Sequence, residues 1–241
     1  AMTLLDTSMP RVLSIAGTDP TGGAGIQADL KSIAASGGYG MCATTALVAQ
    51  NTQGVRSIFA PPTKFLEEQL AAVFDDVTVD AVKIGMLGDV ETITTVKTWL
   101  AEHPVPVVVL DPVMVASSGD RLISQDAEQA LRELVAQADV ITPNIAELAV
   151  LCESNPAQTL EEAHNQAAQL AGCTGTIVIV KGGHLTGEDA GNSAVFPDGT
   201  HTHVAVARIQ TKNTHGTGCS LSSSLATRLG FALVNGNNEL N

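Results

Sequence analysis

Residues 12–36 read VLSIAGTDPTGGAGIQADLKSIAAS. Three textures follow one another without a break. Residues 12–16 are a short apolar run, as a buried strand requires. Residues 17–25 are polar and rich in glycine. From residue 26 the apolar positions Ile26, Leu30 and Ile33 fall at helical spacing. Strand, glycine loop and helix in this order open an α/β unit.

The pattern recurs outward from this unit. Strands are predicted at 44–49, 79–84, 105–110, 140–142 and 176–180, with a short edge or flap strand at 54–60. Helices are predicted after Pro62, where Phe65, Leu66, Leu70, Val73 and Phe74 make an apolar face, and at 90–100, 127–136, 146–151, 160–170 and 218–229. Residues 194–197 and 201–209 suggest a hairpin around Asp198-Gly199. The nearly continuous apolar run at 105–110 suits an interior parallel strand covered on both faces. Alternating strands and helices favour one α/β domain over residues 1–241, with a mostly parallel central sheet. Chemistry should then collect beyond the carboxyl ends of the strands, where Asp111, Asn144 and Lys181 stand.

The chain of 241 residues is long enough for a substantial core, and 44% hydrophobic with 15% charged residues is a globular composition. A net charge of -13, from 25 acidic and 12 basic residues, disfavours nucleic-acid backbones and anionic membrane surfaces. Cys42, Cys152, Cys173 and Cys219 form no zinc or dense disulfide pattern. Reduced thiols and the lack of a signal-like start lead us to expect a cytoplasmic protein.

Two loops invite a ligand. NTHGTGCS at 213–220 places Gly216, Thr217 and Gly218 where a helix begins. The first amides of a helix lack internal acceptors and, with the helix dipole, suit an anion. An ordinary helix start is the plain alternative. Cys219 would lie in the first turn, which favours a thiolate able to accept a proton; a small core residue is the alternative. The early loop at 18–25 matches neither GxGxxG nor GxxxxGK[ST]. Its glycines permit close approach by a ligand, or a tight turn alone.

Taken together, AGTDPTGGAGIQADLKS (16–32), TALVAQNTQGV (45–55), KIGML (83–87), DPVM (111–114), TPNIAE (142–147), KGGH (181–184) and KNTHGTGCS (212–220) resemble the hydroxymethylpyrimidine and hydroxymethylpyrimidine-phosphate kinases of the ribokinase-like superfamily. The likeness runs collinearly from about residue 12 to 230. Each motif is modest; their order is specific, and GTGC stands where many related sugar kinases have aspartate in place of the cysteine. The resemblance implies a ribokinase-like three-layer α/β/α fold, ATP and Mg2+, a homodimer, and two phosphorylations of a small aminopyrimidine alcohol on the way to thiamine.

Roles follow from the matched positions. Asp29 and Gln50 correspond to pyrimidine recognition, Gly17 to the wall beside the ring, and Val48 and Met86 to apolar contacts. Asp111 and Glu147 correspond to the magnesium-dependent phosphate region, through water if not directly. Asn144 would orient phosphate or a metal-bound water, and Lys181 would neutralise transferring phosphate. Gly216, Thr217 and Gly218 would form the anion hole, with Cys219 activating the acceptor oxygen. Read in isolation, Asp29 is also an exposed helix carboxylate, and Asn144 and Glu147 also a helix cap. Beyond residue 230 the chain departs from the family pattern, which continues into another helix beside adenine, so this segment reads as atypical or shortened. A vitamin B6 kinase and a non-catalytic pyrimidine-binding protein are the alternatives.

Overall fold

The structure, a computed structural model, describes residues 9–116, 118–182, 191–204 and 217–235, with the backbone alone for 217–220. In chain order the elements are β1 (Arg11–Ala16), α1 (Gly25–Ala35), β2 (Tyr39–Thr44), β3 (Leu47–Asn51), β4 (Gly54–Phe59), α2 (Thr63–Phe74), β5 (Ala81–Ile84) and α3 (Val90–Glu102). They continue as β6 (Val107–Leu110), α4 (Ala127–Val135), β7 (Val140–Ile141), α5 (Ile145–Leu151), α6 (Leu160–Thr174), β8 (Ile177–Lys181), β9 (Asn192–Val195), β10 (His201–Val204) and α7 (Thr217–Val234).

Eight strands form one sheet in the order β10-β9-β8-β7-β6-β5-β1-β2. All pairs from β2 to β8 are parallel, and β9 and β10 add antiparallel to that edge. Successive strand residues point to opposite faces, and both faces are covered. Leu13, Val82, Val108 and Ile141 pack under Leu66 and Leu70 of α2, Ile93 and Val96 of α3, Leu131 and Leu134 of α4, Leu148 of α5 and Ala163 and Ala167 of α6. Val12, Ala81, Val107, Val109 and Val140 pack on the other side, against Ile33 of α1 and Ala226 of α7. The result is the three-layer α/β/α arrangement that the resemblance implies.

Chain direction within the sheet decides where a ligand can enter. From β1 the chain steps outward to β2, then crosses back to place β5 on the other side of β1. Loops leaving β1 and β5 therefore diverge and leave a crevice at their carboxyl ends. β3 and β4 form a separate two-stranded antiparallel sheet, with an irregularity at Ala49/Gln50.

Three readings need correction. The predicted strand at 44–49 is two strands. The main sheet keeps β2 up to Thr44, which pairs with Ala16, and the chain turns away before β3. Gly40 and Ala43 have weak strand preference, so β2 exists mainly through its pairing with β1. Phe65 is half exposed; Leu66 and Leu70 make the buried face of α2. The helix expected at 218–229 extends to Val234.

Candidate active site

The expected phosphate-side residues converge. Asp111 follows β6 and is almost fully buried, its backbone N–H donating to the Ile84 carbonyl at 2.8 Å. Lys181 ends β8, and its Nζ stands 3.8 Å from Asp111 Oδ1. Asn144 follows β7 between them, and its backbone bridges to Lys181 in parallel register. Three neighbouring strands thus deliver a carboxylate, an amide and an ammonium to one edge of the sheet.

Asn144 and Glu147 are also a helix cap. Asn144 Oδ1 accepts from the Glu147 N–H at 2.7 Å, and Glu147 Oε1 accepts from the Asn144 N–H at 3.0 Å. This reciprocal capping box opens α5. Glu147 is nevertheless buried beside another carboxylate. Burial, then the Asp111 charge, push it from an ordinary 4.5 to about 7, while Lys181 and the backbone N–H groups of Asn144 and Met114 pull the other way.

This donor set fits magnesium. Asp111 is a buried carboxylate whose side chain makes no hydrogen bond among the described residues and faces Lys181 only at 3.8 Å. Its acceptor capacity is therefore available to a hydrated cation, with Glu147 beside it. Magnesium is commonly held by one or two carboxylates with several waters retained. Among the described residues no larger group of metal-ligating side chains exists.

The expected substrate wall also assembles, at the carboxyl ends of β1 and β5. A Cβ placed on Gly17 would sit 3.0 Å from Met86 Sδ and 3.5 Å from Val48 Cγ2. Gly17, Val48 and Met86 are all buried. Thr18 ties this wall to the small sheet: its Oγ1 accepts from the Val48 N–H at 2.9 Å, and its carbonyl accepts from Gln50 Nε2 at 2.9 Å. Gln50 is half buried beside the wall. A cavity of about 280 Å³ lies against Met86, lined also by Thr45, Ala46, Leu122 and Arg121.

The glycine loop before α1 is organised by a residue to which the sequence reading assigned no role. Buried Asp19 accepts from the Thr21 N–H at 3.0 Å, the Thr21 hydroxyl at 2.8 Å and the Gly23 N–H at 3.1 Å. Gly25, at φ +59°, brings its backbone against the Gly17 carbonyl, where a Cβ would collide. The tight-turn reading of this loop therefore holds. Of the anion-hole residues, Gly216 lies outside the described residues, while Thr217, Gly218 and Cys219 form the start of α7.

Comparison with known proteins agrees with this geometry. A family model described as phosphomethylpyrimidine kinase matches residues 19–233. The chain belongs to the phosphomethylpyrimidine kinase family. It is 46% identical to the hydroxymethylpyrimidine/phosphomethylpyrimidine kinase of Escherichia coli, over 89% of this chain and 80% of that one. It is 64% identical to a thiamine biosynthesis multifunctional protein of Corynebacterium glutamicum, over 92% of this chain but only 29% of that protein. The chain thus spans under a third of that multifunctional relative. Among solved structures, the ADP complex of Bacillus subtilis pyridoxal kinase matches with a TM-score of 0.82 at 35% identity, covering 92% of this chain and 84% of that one. Phosphomethylpyrimidine kinase from Clostridium difficile matches with a TM-score of 0.78 at 34% identity, covering 95% of both.

Asp29 departs from the expected pyrimidine-facing role. It has no exposed surface. Both its oxygens lie within 2.9 Å of Lys83 Nζ, and Ser14 and Ser223 donate to it at 2.7 Å and 2.8 Å. The carboxylate turns inward because a fully buried lysine faces it there. A signal for this partner was present: Lys83 is a charge inside a strand buried at every position. Burial, then the Asp29 charge, push the Cys42 thiol up, so Cys42 is not a ready nucleophile.

Proposed function

We propose that this chain transfers the γ-phosphoryl group of ATP to the hydroxymethyl oxygen of 4-amino-5-hydroxymethyl-2-methylpyrimidine, and then a second to the monophosphate. The observation that supports this most is the convergence of Asp111, Asn144, Glu147 and Lys181 on the sheet edge that also bears the Gly17–Val48–Met86 wall. One feature set is anionic and cationic for phosphate; the other is apolar for a ring. Family membership supports the same reading.

Each residue then has a task. Gly17 leaves space for the ring, Val48 and Met86 pack on it, and Gln50 reads its polar edge. Lys181 offsets the charge that spreads over the phosphoryl oxygens in the transition state. Backbone N–H groups at the start of α7, with Gly216, Thr217 and Gly218, hold the same oxygens. Cys219, as thiolate, receives the proton of the acceptor hydroxyl. Magnesium, when bound, neutralises and aligns the phosphates; Asp111 and Glu147 would hold it, through water. Asn144 keeps Glu147 in place through the capping box. A homodimer in the cytoplasm, where ATP is supplied, completes the proposal. Among the described residues no helix is long and apolar enough to cross a membrane.

A second reading, pyridoxal phosphorylation, is favoured by the likeness to Bacillus subtilis pyridoxal kinase. Mass spectrometry after incubation with ATP and magnesium separates the two. The pyrimidine alcohol, its monophosphate and pyridoxine are offered singly. Mono- and diphosphorylated pyrimidine support the first reading. Phosphorylated pyridoxine alone transfers the assignment to the second. No product with any acceptor leaves a binding protein.

A further inference from the structure

Four elements meet at one buried carboxylate. Asp29 of α1 takes Ser14 of β1 and Lys83 of β5 as neighbours, and Ser223 of α7 reaches the same group. Ser14 and Lys83 stand opposite each other in the β1–β5 register, so the sheet holds two of the partners in fixed places. Asp29, Lys83, Ser14 and Ser223 are all without exposed surface. A buried ion pair is weak support for stability, because removing two charges from water offsets much of their attraction. Its directional geometry is what an apolar replacement lacks.

Helix α7 is the element that needs such direction. Its sequence, TGCSLSSSLATRLGFALV, puts small and polar residues where most helices put branched apolar knobs. Ser222, Ser223, Ala226, Thr227 and Gly230 are buried on it, and Leu225 and Leu229 pack partly buried against the core. Small side chains give shallow ridges, so directional polar contacts add to the definition of the helix's place. Polar contacts mark its position as well. Ser223 donates to Asp29 at 2.8 Å, and Ser224 meets Ser32 of α1 at 2.8 Å. Ser223 lies four residues, about one helical turn, beyond Cys219.

We infer that the Asp29–Lys83 pair is a positioning device, which through Ser223 sets the axial place of α7 and hence of the Thr217–Cys219 turn at the reacting phosphate. It rests on the kinase reading for its consequence in catalysis. The pair itself does not touch the reacting atoms. Asp29 then acts at one remove from the substrate, in place of the direct pyrimidine contact that its position in the sequence suggests.

Two matched substitutions test this. Ser223→Ala and Ser14→Ala each delete one hydroxyl bond to the same carboxylate, the first from α7 and the second from β1. The expected result for Ser223→Ala is a fall in kcat of about tenfold or more, since small misplacements of a catalytic turn are costly, with KM for the pyrimidine within about twofold. Amide hydrogen exchange in α7 should rise while that of α2 to α6 holds. Ser14→Ala should leave kcat within about twofold and α7 exchange unchanged. The inference is overturned if both variants raise KM for the pyrimidine alike at constant kcat, which would make Asp29 a ligand group. It is equally overturned if Ser223→Ala leaves α7 exchange unaltered. The exchange arm reads helix position whatever the reaction is, so an inactive parent chain would refute the kinase reading and leave this inference to stand or fall on exchange. The double variant Asp29→Asn/Lys83→Met removes both buried charges together and should raise α7 exchange; unchanged exchange in that folded variant would also overturn the inference.

Discussion

Lys181 Nζ lies 3.8 Å from Asp111 Oδ1, although β8 and β6 are separated in the sheet by β7. The lysine reaches across the end of the intervening strand, beside Asn144. At this distance the two charges attract without a hydrogen bond, which leaves both able to face phosphate and cation. Lys181→Met should lower kcat by about a hundredfold, the scale for losing one charge-stabilising donor, and change KM for the pyrimidine little. Steady-state kinetics with the pyrimidine monophosphate check this. Asp111→Asn should instead raise the magnesium concentration needed for half-maximal rate.

Glu147 carries a pH signature. Its folded pKa of about 7 exceeds its ordinary 4.5, so the native protein holds this proton more tightly than the unfolded chain. The stabilisation from that proton is full below pH 4.5 and is lost as pH rises to about 7. The loss amounts to roughly 3 kcal/mol. Urea denaturation of the parent chain and Glu147→Gln at several pH values without metal isolates it. The parent should lose stability relative to the variant between these limits. With magnesium present, protons compete with the cation, so the magnesium requirement of the parent should grow as pH falls below about 7.

Asn144→Ala removes the side-chain acceptor that receives the Glu147 N–H. Loss of a helix cap of this kind costs about 1 kcal/mol. A fall in Tm of about 2–4 °C follows for a chain of this size. Asn144→Asp keeps the cap acceptor and should recover most of the Tm, as calorimetry would show.

Gly17→Ala should act on recognition. The added methyl would press Met86 Sδ at 3.0 Å. The sulfur belongs to a flexible side chain, so the fold should survive while the ring's space narrows. KM for the pyrimidine alcohol is expected to rise by about tenfold at nearly constant kcat, the scale of one methylene in a pocket. Adding Met86→Ala should return part of that loss. A fall in kcat alone would place Gly17 away from the ring.

Cys219→Ser should separate the two phosphorylations. A neutral hydroxyl must shed a proton in the first, whereas the second acceptor is already a phosphate anion. The first step should slow more, by about a hundredfold, the low end of the range for general-base catalysis. Single-turnover assays on the alcohol and on the monophosphate compare them. Equal slowing of both would make Cys219 a shaping residue.

The sequence by itself determined an α/β domain with a mostly parallel sheet, because periodicity is a local property. Val12–Ala16 followed by Ile26, Leu30 and Ile33 requires a strand and then an amphipathic helix, and the apolar run at Val107–Leu110 requires cover on both faces. It also placed Asp111, Asn144 and Lys181 at strand ends, since a parallel sheet carries every such end to one edge. β2 was not legible, as Gly40 and Ala43 become strand through pairing with β1. The fate of Asp29 was not legible either. Helical spacing assigns Asp29 to α1, but whether it faces a ligand or the interior depends on residues 54 and 194 positions away, Lys83 and Ser223. Only the folded sheet brings those groups within hydrogen-bond reach, and desolvation there makes the carboxylate's partner decide its orientation. The same holds for Glu147, whose cap is written in the local pattern NIAE but whose raised pKa needs Asp111 beside it in space.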